Sequence, residues 1–208
     1  EGVYIDVAQI ETALHFLAPE ILDFQSNGYL ATRMANRSRF AAPQGVYRCR
    51  GEDNWVAIGV DNDDEFTKLA SVLGKPEWLE NKQMSTNSGR IDLHDQLDLE
   101  ITAWTQNLEA TEVMTQLQEA GIPAGAVQKS SDLLQDPQYA HREFYRYMQH
   151  PEMGNIPYAG HQYQMSSYKS GPRSAAPTLG QHSFDILGDL LGMSDEAIAE
   201  AYAKEIVG

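Results

Sequence analysis

The chain has 208 residues, 42% of them hydrophobic, which allows one or two domains with a real core. Its 15 Lys and Arg against 30 Asp and Glu leave a formal charge of −15, so a nucleic-acid backbone would be repelled rather than bound. A single cysteine excludes an internal disulfide, and no apolar run approaches the roughly 18 residues of a membrane span. With no basic segment leading into an apolar signal core, the expected compartment is the cytoplasm. The first residue is Glu1 rather than Met, as in a processed, tagged or truncated chain.

Gly2 to Ile5 reads as the end of a strand, and Asp6 as the opening of a helix with Val7, Ile10, Leu14 and Leu17 on one stripe. Pro19 kinks that helix or begins a second segment, which runs through Ile21, Leu22 and Phe24 to Gly28. Tyr29 to Gln44 has no sustained period and reads as an extended connection. Its Arg33, Arg37 and Arg39 form either a basic strip for an anionic ligand or an ordinary charged linker.

From Gly45 to Trp78 every local signal agrees. Val46 to Arg50 alternates as a half-buried strand, with Tyr47 and Cys49 on one face. On that strand Cys49 reads as a small buried hydrophobe rather than a nucleophile. Gly51-Glu52-Asp53-Asn54 is turn chemistry, and Trp55 to Val60, apolar on both faces, is the more buried partner. Asn62 or Asp63 then caps a helix carrying Phe66, Leu69, Ala70 and Leu73 at helical spacing, ended by Gly74 and Pro76.

Thr86 and Asn87 start a helix bearing Leu93, Leu97, Ile101 and Trp104. Another runs from Ala110 to Gly121, and a short strand follows Pro123. Ser130 to Leu134 reads as a helical turn, Asp136 caps the next one, and Phe144 to Met148 alternates weakly as a strand. Pro151 to Pro177 is rich in Pro, Gly, Ser and Tyr, with a strand expected at His161 to Met165 and a surface linker at Ser166 to Ala176. Two helices close the chain, one marked by Phe184, Leu187 and Leu191, the other capped by Ser194.

Reactive motifs are scarce. The six histidines show no metal-ligand spacing, and there is no P-loop, GxGxxG or GxSxG. Asp61, Asp63, Asp64 and Glu65 follow a buried strand, where α/β proteins often bind ligands. Helix capping and dipole compensation account for Asp63 and Asp64 without any chemistry, and that reading is preferred. His182 beside Leu179-Gly180-Gln181 faces a ligand or merely starts a helix. Residue chemistry alone yields an acidic α/β protein with no visible reaction.

The order of short motifs resembles the C-terminal half of the family III CoA-transferases (the CaiB/BaiF group), which includes formyl-CoA transferase, carnitine CoA-transferase and the 2-methylacyl-CoA racemases. The matching pieces are YIDVAQIE at 4–11, GVYRCRGEDNWVAIGV at 45–60, FTKLASVLGKPEW at 66–78, AGIPAGAVQ at 120–128, QDPQYAHREF at 135–144 and APTLGQHSFDILGDLLG at 176–192. The resemblance implies an α/β fold: a small domain with a short antiparallel sheet and packed helices, flanked by linkers and by terminal helices of an incomplete large domain. On this mapping 1–28 ends the large-domain portion, 29–44 is a linker, 45–142 the small domain, 143–175 a return linker and 176–208 the closing large-domain helices.

It also implies an activity, the movement of CoA between an acyl-CoA and a free carboxylic acid through an aspartyl intermediate. The nucleophilic aspartate is expected upstream of Glu1, so no catalytic residue is assigned here, and Asp6 matches a different aspartate of the family. The CoA thioester enters as substrate, with no permanently bound cofactor, and the implied partner is a second copy in an interlocked homodimer, with no nucleic acid or membrane. Ser38, Arg39 and Phe40 stand where some transferases carry a glycine-rich loop, and their departure from it points away from oxalate-type chemistry. Asp61 and Asp63 fall close to a supporting acid of the racemases. These five are the expected substrate-lining residues. An epimerase of the racemase type and a non-catalytic assembly module are the alternatives.

Overall fold

The computed structural model describes residues 2–207, in two compact units divided between Val127 and Gln128. Glu1 and Gly208, which bound the first and last of the expected segments, lie outside the described residues. The first unit begins with α1 (Gln9–Phe16) and α2 (Ala18–Asn27). Pro19 lies in the first turn of α2, where its missing amide leaves no bond unmade, so it begins a second helix. The strand expected at Gly2 to Ile5 does not form, because these residues have no ladder partner among the described residues. The helix start expected at Asp6 moves to Gln9, behind Ala8.

The sheet of this unit is antiparallel in the order β1-β2-β3, from Gln44–Arg48, Trp55–Gly59 and Ala124–Ala126. Tyr47 of the first strand, Cys49 just past its end, and Val56 and Ile58 of the second are buried in the core, as alternation requires. Trp55, Ala57 and Gly59 stay half-exposed, so β2 is buried on one face and not, as its composition suggests, on both. α3 (Asp63–Leu73) covers the core face with Phe66, Leu69 and Ala70. Its cap is Asn62, which accepts from the Glu65 amide at 3.0 Å, and Gly74 ends it.

α4 (Glu77–Glu80) inserts Trp78, whose ring stacks on Phe66 at 5.6 Å. The single helix expected after Thr86 is two, α5 (Asn87–Asp92) and α6 (His94–Thr105), broken at Leu93. Thr86 caps the first of them, accepting from the Gly89 amide. Leu97 and Ile101 of α6 and Val113 and Leu117 of α7 (Ala110–Glu119) complete the core.

The second unit opens with α8 (Ser130–Leu133) and α9 (Pro137–His141), the latter capped by Asp136. A hairpin of β4 (Tyr145–His150) and β5 (Gly154–Ala159) follows. Buried His150 fastens its turn, Nδ1 accepting from the Glu152 and Met153 amides at 3.1 Å each. The strand expected at His161 to Met165 therefore lies earlier. Pro157 masks β5 in the sequence, yet a two-stranded hairpin has a free edge that tolerates its missing amide. A π-helical segment at Asp185–Leu190 and α10 (Asp195–Ala203) close the chain, with Ile198 buried and Phe184 stacked on Tyr202. Among the described residues no helix is long and apolar enough to cross a membrane.

Candidate functional site

Register explains why distant stretches meet. Gln44 pairs with Gly59, so the loop before β1 and the turn after β2 emerge at one end of the sheet. The Val60 amide donates to the Pro43 carbonyl at 3.0 Å, and the Gly59 amide to the Pro123 carbonyl at 3.0 Å, which brings the entry to β3 to the same end. α5 then ties the two loops together. The Asn87 amide group donates to the Phe40 carbonyl at 2.6 Å, while its oxygen accepts from the Ala42 amide at 3.1 Å.

Arg90 is the larger fastener and is fully buried. Its Nε donates to the Ala42 carbonyl at 2.9 Å, one terminal nitrogen to the Met84 carbonyl at 3.0 Å, and the other to Asp63 Oδ1 at 2.7 Å. The guanidinium also lies 4.6 Å above the Phe66 ring. This use of all three nitrogens satisfies a charge that burial would otherwise penalise. The preceding residue must be glycine, because a Cβ at Gly89 would lie 1.9 Å from the Gln83 carbonyl oxygen.

The five expected lining residues are thus gathered on two adjoining loops, each already engaged. Asp61 Oδ1 accepts from Gln44 Nε2 at 2.6 Å, and Asp63 holds Arg90. The Ser38 hydroxyl accepts from the Phe40 amide at 3.0 Å. Arg39 pairs with Asp23 and lies 3.7 Å above the Tyr29 ring. Hydrogen bonds from Asn27 and then Arg39 hold the Asp23 carboxyl below the usual carboxylate range. The Phe40 ring is 73% exposed, with the Arg39 guanidinium 5.0 Å from its centroid. The turn also presents the open face of the sheet, where Val46, Ala57, Gly59 and Gly125 floor a shallow groove of about 600 Å³.

Sequence reasoning missed a polar network beside this end. Tyr47 donates to Asp98 Oδ1 at 2.9 Å, and Arg37 contacts Asp98 at 2.5 Å and Asp95 at 2.7 Å. Burial, then the Asp98 charge, pushes the Tyr47 phenol far above its ordinary value. Buried His94 accepts from the Gln44 amide through Nε2 at 3.3 Å. That nitrogen therefore carries no proton, and its 3.5 Å approach to Asp98 is no ion pair. Burial is the main cause that lowers the His94 pKa, opposed by Asp98 and assisted by Arg37. The only sequence trace of the network is the i, i+4 spacing of His94 and Asp98. Arg37 and Arg39 are both consumed by carboxylates, so two of the three charges in the expected basic strip are neutralised.

Elsewhere Cys49 is buried as expected, and burial pushes its thiol up, away from nucleophilic use. His182 contacts Asp185 at 3.3 Å on an exposed surface. Among the described residues no three His, Cys, Asp or Glu side chains are grouped to hold a metal ion. The sheet end thus presents a small-residue groove, and the adjoining loops an exposed aromatic ring and two pinned carboxylates, Asp61 and Asp63; no nucleophile with an adjacent base is present among these residues.

Comparison with known proteins adds what the geometry lacks. The family model described as CoA-transferase family III matches residues 1–183. A succinyl-CoA–D-citramalate CoA-transferase of Chloroflexus aurantiacus is 29% identical over the whole chain, which covers 51% of that protein. Human succinyl-CoA:glutarate CoA-transferase is 24% identical, also over the whole chain and 47% of its own length. A crystal structure of a CAIB/BAIF family protein from Brucella suis superposes with a TM-score of 0.76 at 25% identity, covering 91% of this chain and 48% of that one. The chain spans about half the length of the curated relatives it matches.

Proposed function

The chain belongs to CoA-transferase family III, and on that footing we propose that it is the C-terminal portion of an enzyme moving CoA between an acyl-CoA and a free carboxylic acid. The observation that carries this reading is a family match over residues 1–183 by a chain half as long as its relatives. The reacting aspartate lies upstream of Glu1 in this reading. Its carboxylate attacks the thioester carbonyl and expels CoA thiolate, forming a mixed anhydride. The thiolate then attacks the aspartyl carbonyl, giving an aspartyl-CoA thioester and releasing the first acid. The incoming acid reverses these steps. CoA serves as substrate, and no cofactor stays bound.

Within that enzyme, Ser38, Arg39, Phe40, Asp61 and Asp63 line the acyl end of the substrate. Segment 45–142 acts as the small domain between linkers 29–44 and 143–175, and segments 1–28 and 176–208 belong to the large domain. The exposed apolar faces of α1 and α2 support that last assignment, since such faces ordinarily pack against something. The whole protein is a cytoplasmic, interlocked homodimer in this reading.

Relatives that use succinyl-CoA with D-citramalate or glutarate suggest the first substrates to try. The 208-residue chain and the complete reading frame should each be incubated with succinyl-CoA and a labelled dicarboxylate. We expect CoA exchange only from the complete protein, abolished by replacing its upstream aspartate. Exchange by the 208-residue chain would overturn the placement of the nucleophile. If the complete protein instead washes deuterium into the acyl α-carbon without transfer, it is an epimerase of the racemase type.

A further inference from the structure

The second unit holds a cavity of about 310 Å³ beside the β4–β5 hairpin, and its charge is opposite to that of the chain. Three cations, Arg142, Arg146 and Lys169, line it with one carboxylate, Glu143, on a protein of formal charge −15. Lys169 pairs with Glu143 at 2.5 Å, but no carboxylate lies within ion-pair distance of either arginine among the described residues.

Carbonyl groups hold the two guanidiniums without neutralising them. Arg142 donates to the Gln162 carbonyl at 3.4 Å. Arg146 donates to the Pro172 carbonyl at 3.0 Å and to the Ser170 carbonyl, while its buried Nε has no partner. The backbone closes around it because residue 171 is glycine at φ +107°, where a Cβ would lie 3.0 Å from the Arg146 guanidinium carbon. Glu143 acts on Arg146 only through longer-range attraction and already pairs with Lys169, so three cations face one carboxylate and the cavity keeps a net positive charge that an anion would neutralise. Tyr163, stacked on His161 at 4.9 Å, and Tyr168, both half-exposed, line the same cavity.

We propose that this pocket binds a small organic dianion, a phosphate monoester or a dicarboxylate, with its charge between Arg142, Arg146 and Lys169 and its carbon portion against Tyr163 and Tyr168. The site is built from residues of the second unit alone and does not depend on the transferase reading. Titration calorimetry of the 208-residue chain in low-salt buffer tests it, with inorganic phosphate in one arm and succinate in the other. Saturable one-to-one binding is expected in at least one arm, and the arm that responds identifies the anion's source. Combining Arg142→Gln with Lys169→Gln should weaken that binding about tenfold or more. Arg146 is left in place because it fastens the backbone, and circular dichroism confirms that the double variant stays folded. No saturable binding in either arm, or an unchanged dissociation constant in the folded double variant, would overturn the proposal.

Discussion

α1 and α3 carry the same kind of apolar stripe and meet opposite fates. In α3, Phe66 and Leu69 are at most 2% exposed; in α1, Ile10 is 74% and Leu14 48% exposed. Periodicity selects a helix in both cases, because one face of each repeats at 3.6 residues. It says nothing of what covers that face. Around α3 the cover is on this chain: the sheet lies against one side and α7 and Trp78 close the rest. Around α1 and α2 none of the helical residues is buried. An amphipathic helix is therefore evidence of a partner surface, and only the structure tells whether the same chain provides it.

That contrast breaks most visibly at Arg90, which belongs to the covered region. Arg90→Ala removes three hydrogen bonds and leaves the Ala42 and Met84 carbonyls unsatisfied, so urea denaturation should show a loss of about 4 kcal/mol. A loss below about 1 kcal/mol would mean that the two loops are not held together as described. Leu69→Ala, in a fully buried position of α3, should cost about 3 kcal/mol. Ile10→Ala on α1 should change the stability of this chain by no more than about 0.5 kcal/mol. If the two leucine-type truncations cost the same, the exposed face of α1 is covered in solution and the comparison fails.

A third test concerns pH. His94 faces Asp98 and Asp95 from its own helix, Arg37 from the linker and the Gln44 amide from β1. Its folded pKa is lowered below 6.5, mainly by burial, so the unfolded chain binds the proton more readily. Stability from neutral His94 is then complete above about pH 6.5 and is lost as pH falls through the folded value. A single proton limits this slope to about 1.4 kcal/mol per pH unit. Urea midpoints measured from pH 8 to 5 should fall more steeply for the native chain than for His94→Gln. Parallel profiles would show that His94 is not buried neutral.

The sheet unit was largely legible because its signals are local. Asn62, Gly74 and Thr86 each cap or end a helix through their own neighbours, and the Tyr47 and Cys49 alternation needs only an extended segment. Errors arose where a distant partner decides. Gly2 to Ile5 has strand composition and no strand to pair with. β5 contains a proline that only a free edge excuses. Of the candidate site, the two loops could be named from their resemblance to a family, but their junction could not. It depends on Arg90, which no local pattern in the sequence singles out and which the fold buries wholly.

A small expected effect within the covered region sharpens that last point. Arg90 and Asp63 form one ion pair at 2.7 Å, yet the arginine side chain is 0% exposed and the aspartate 70%. Solvent screens the carboxylate, so the pair itself contributes little, and Asp63→Asn should cost about 0–1 kcal/mol. The asparagine oxygen can still accept the same hydrogen bond, and the two carbonyl contacts of Arg90 remain. Arg90→Ala loses all of them at once. The expected ratio of the two costs, several to one, separates a buried cation fastened by backbone carbonyls from an ordinary salt bridge. Equal costs in the same denaturation series would assign the junction to the ion pair, and would make Asp63 a structural residue with no carboxylate to spare for a substrate.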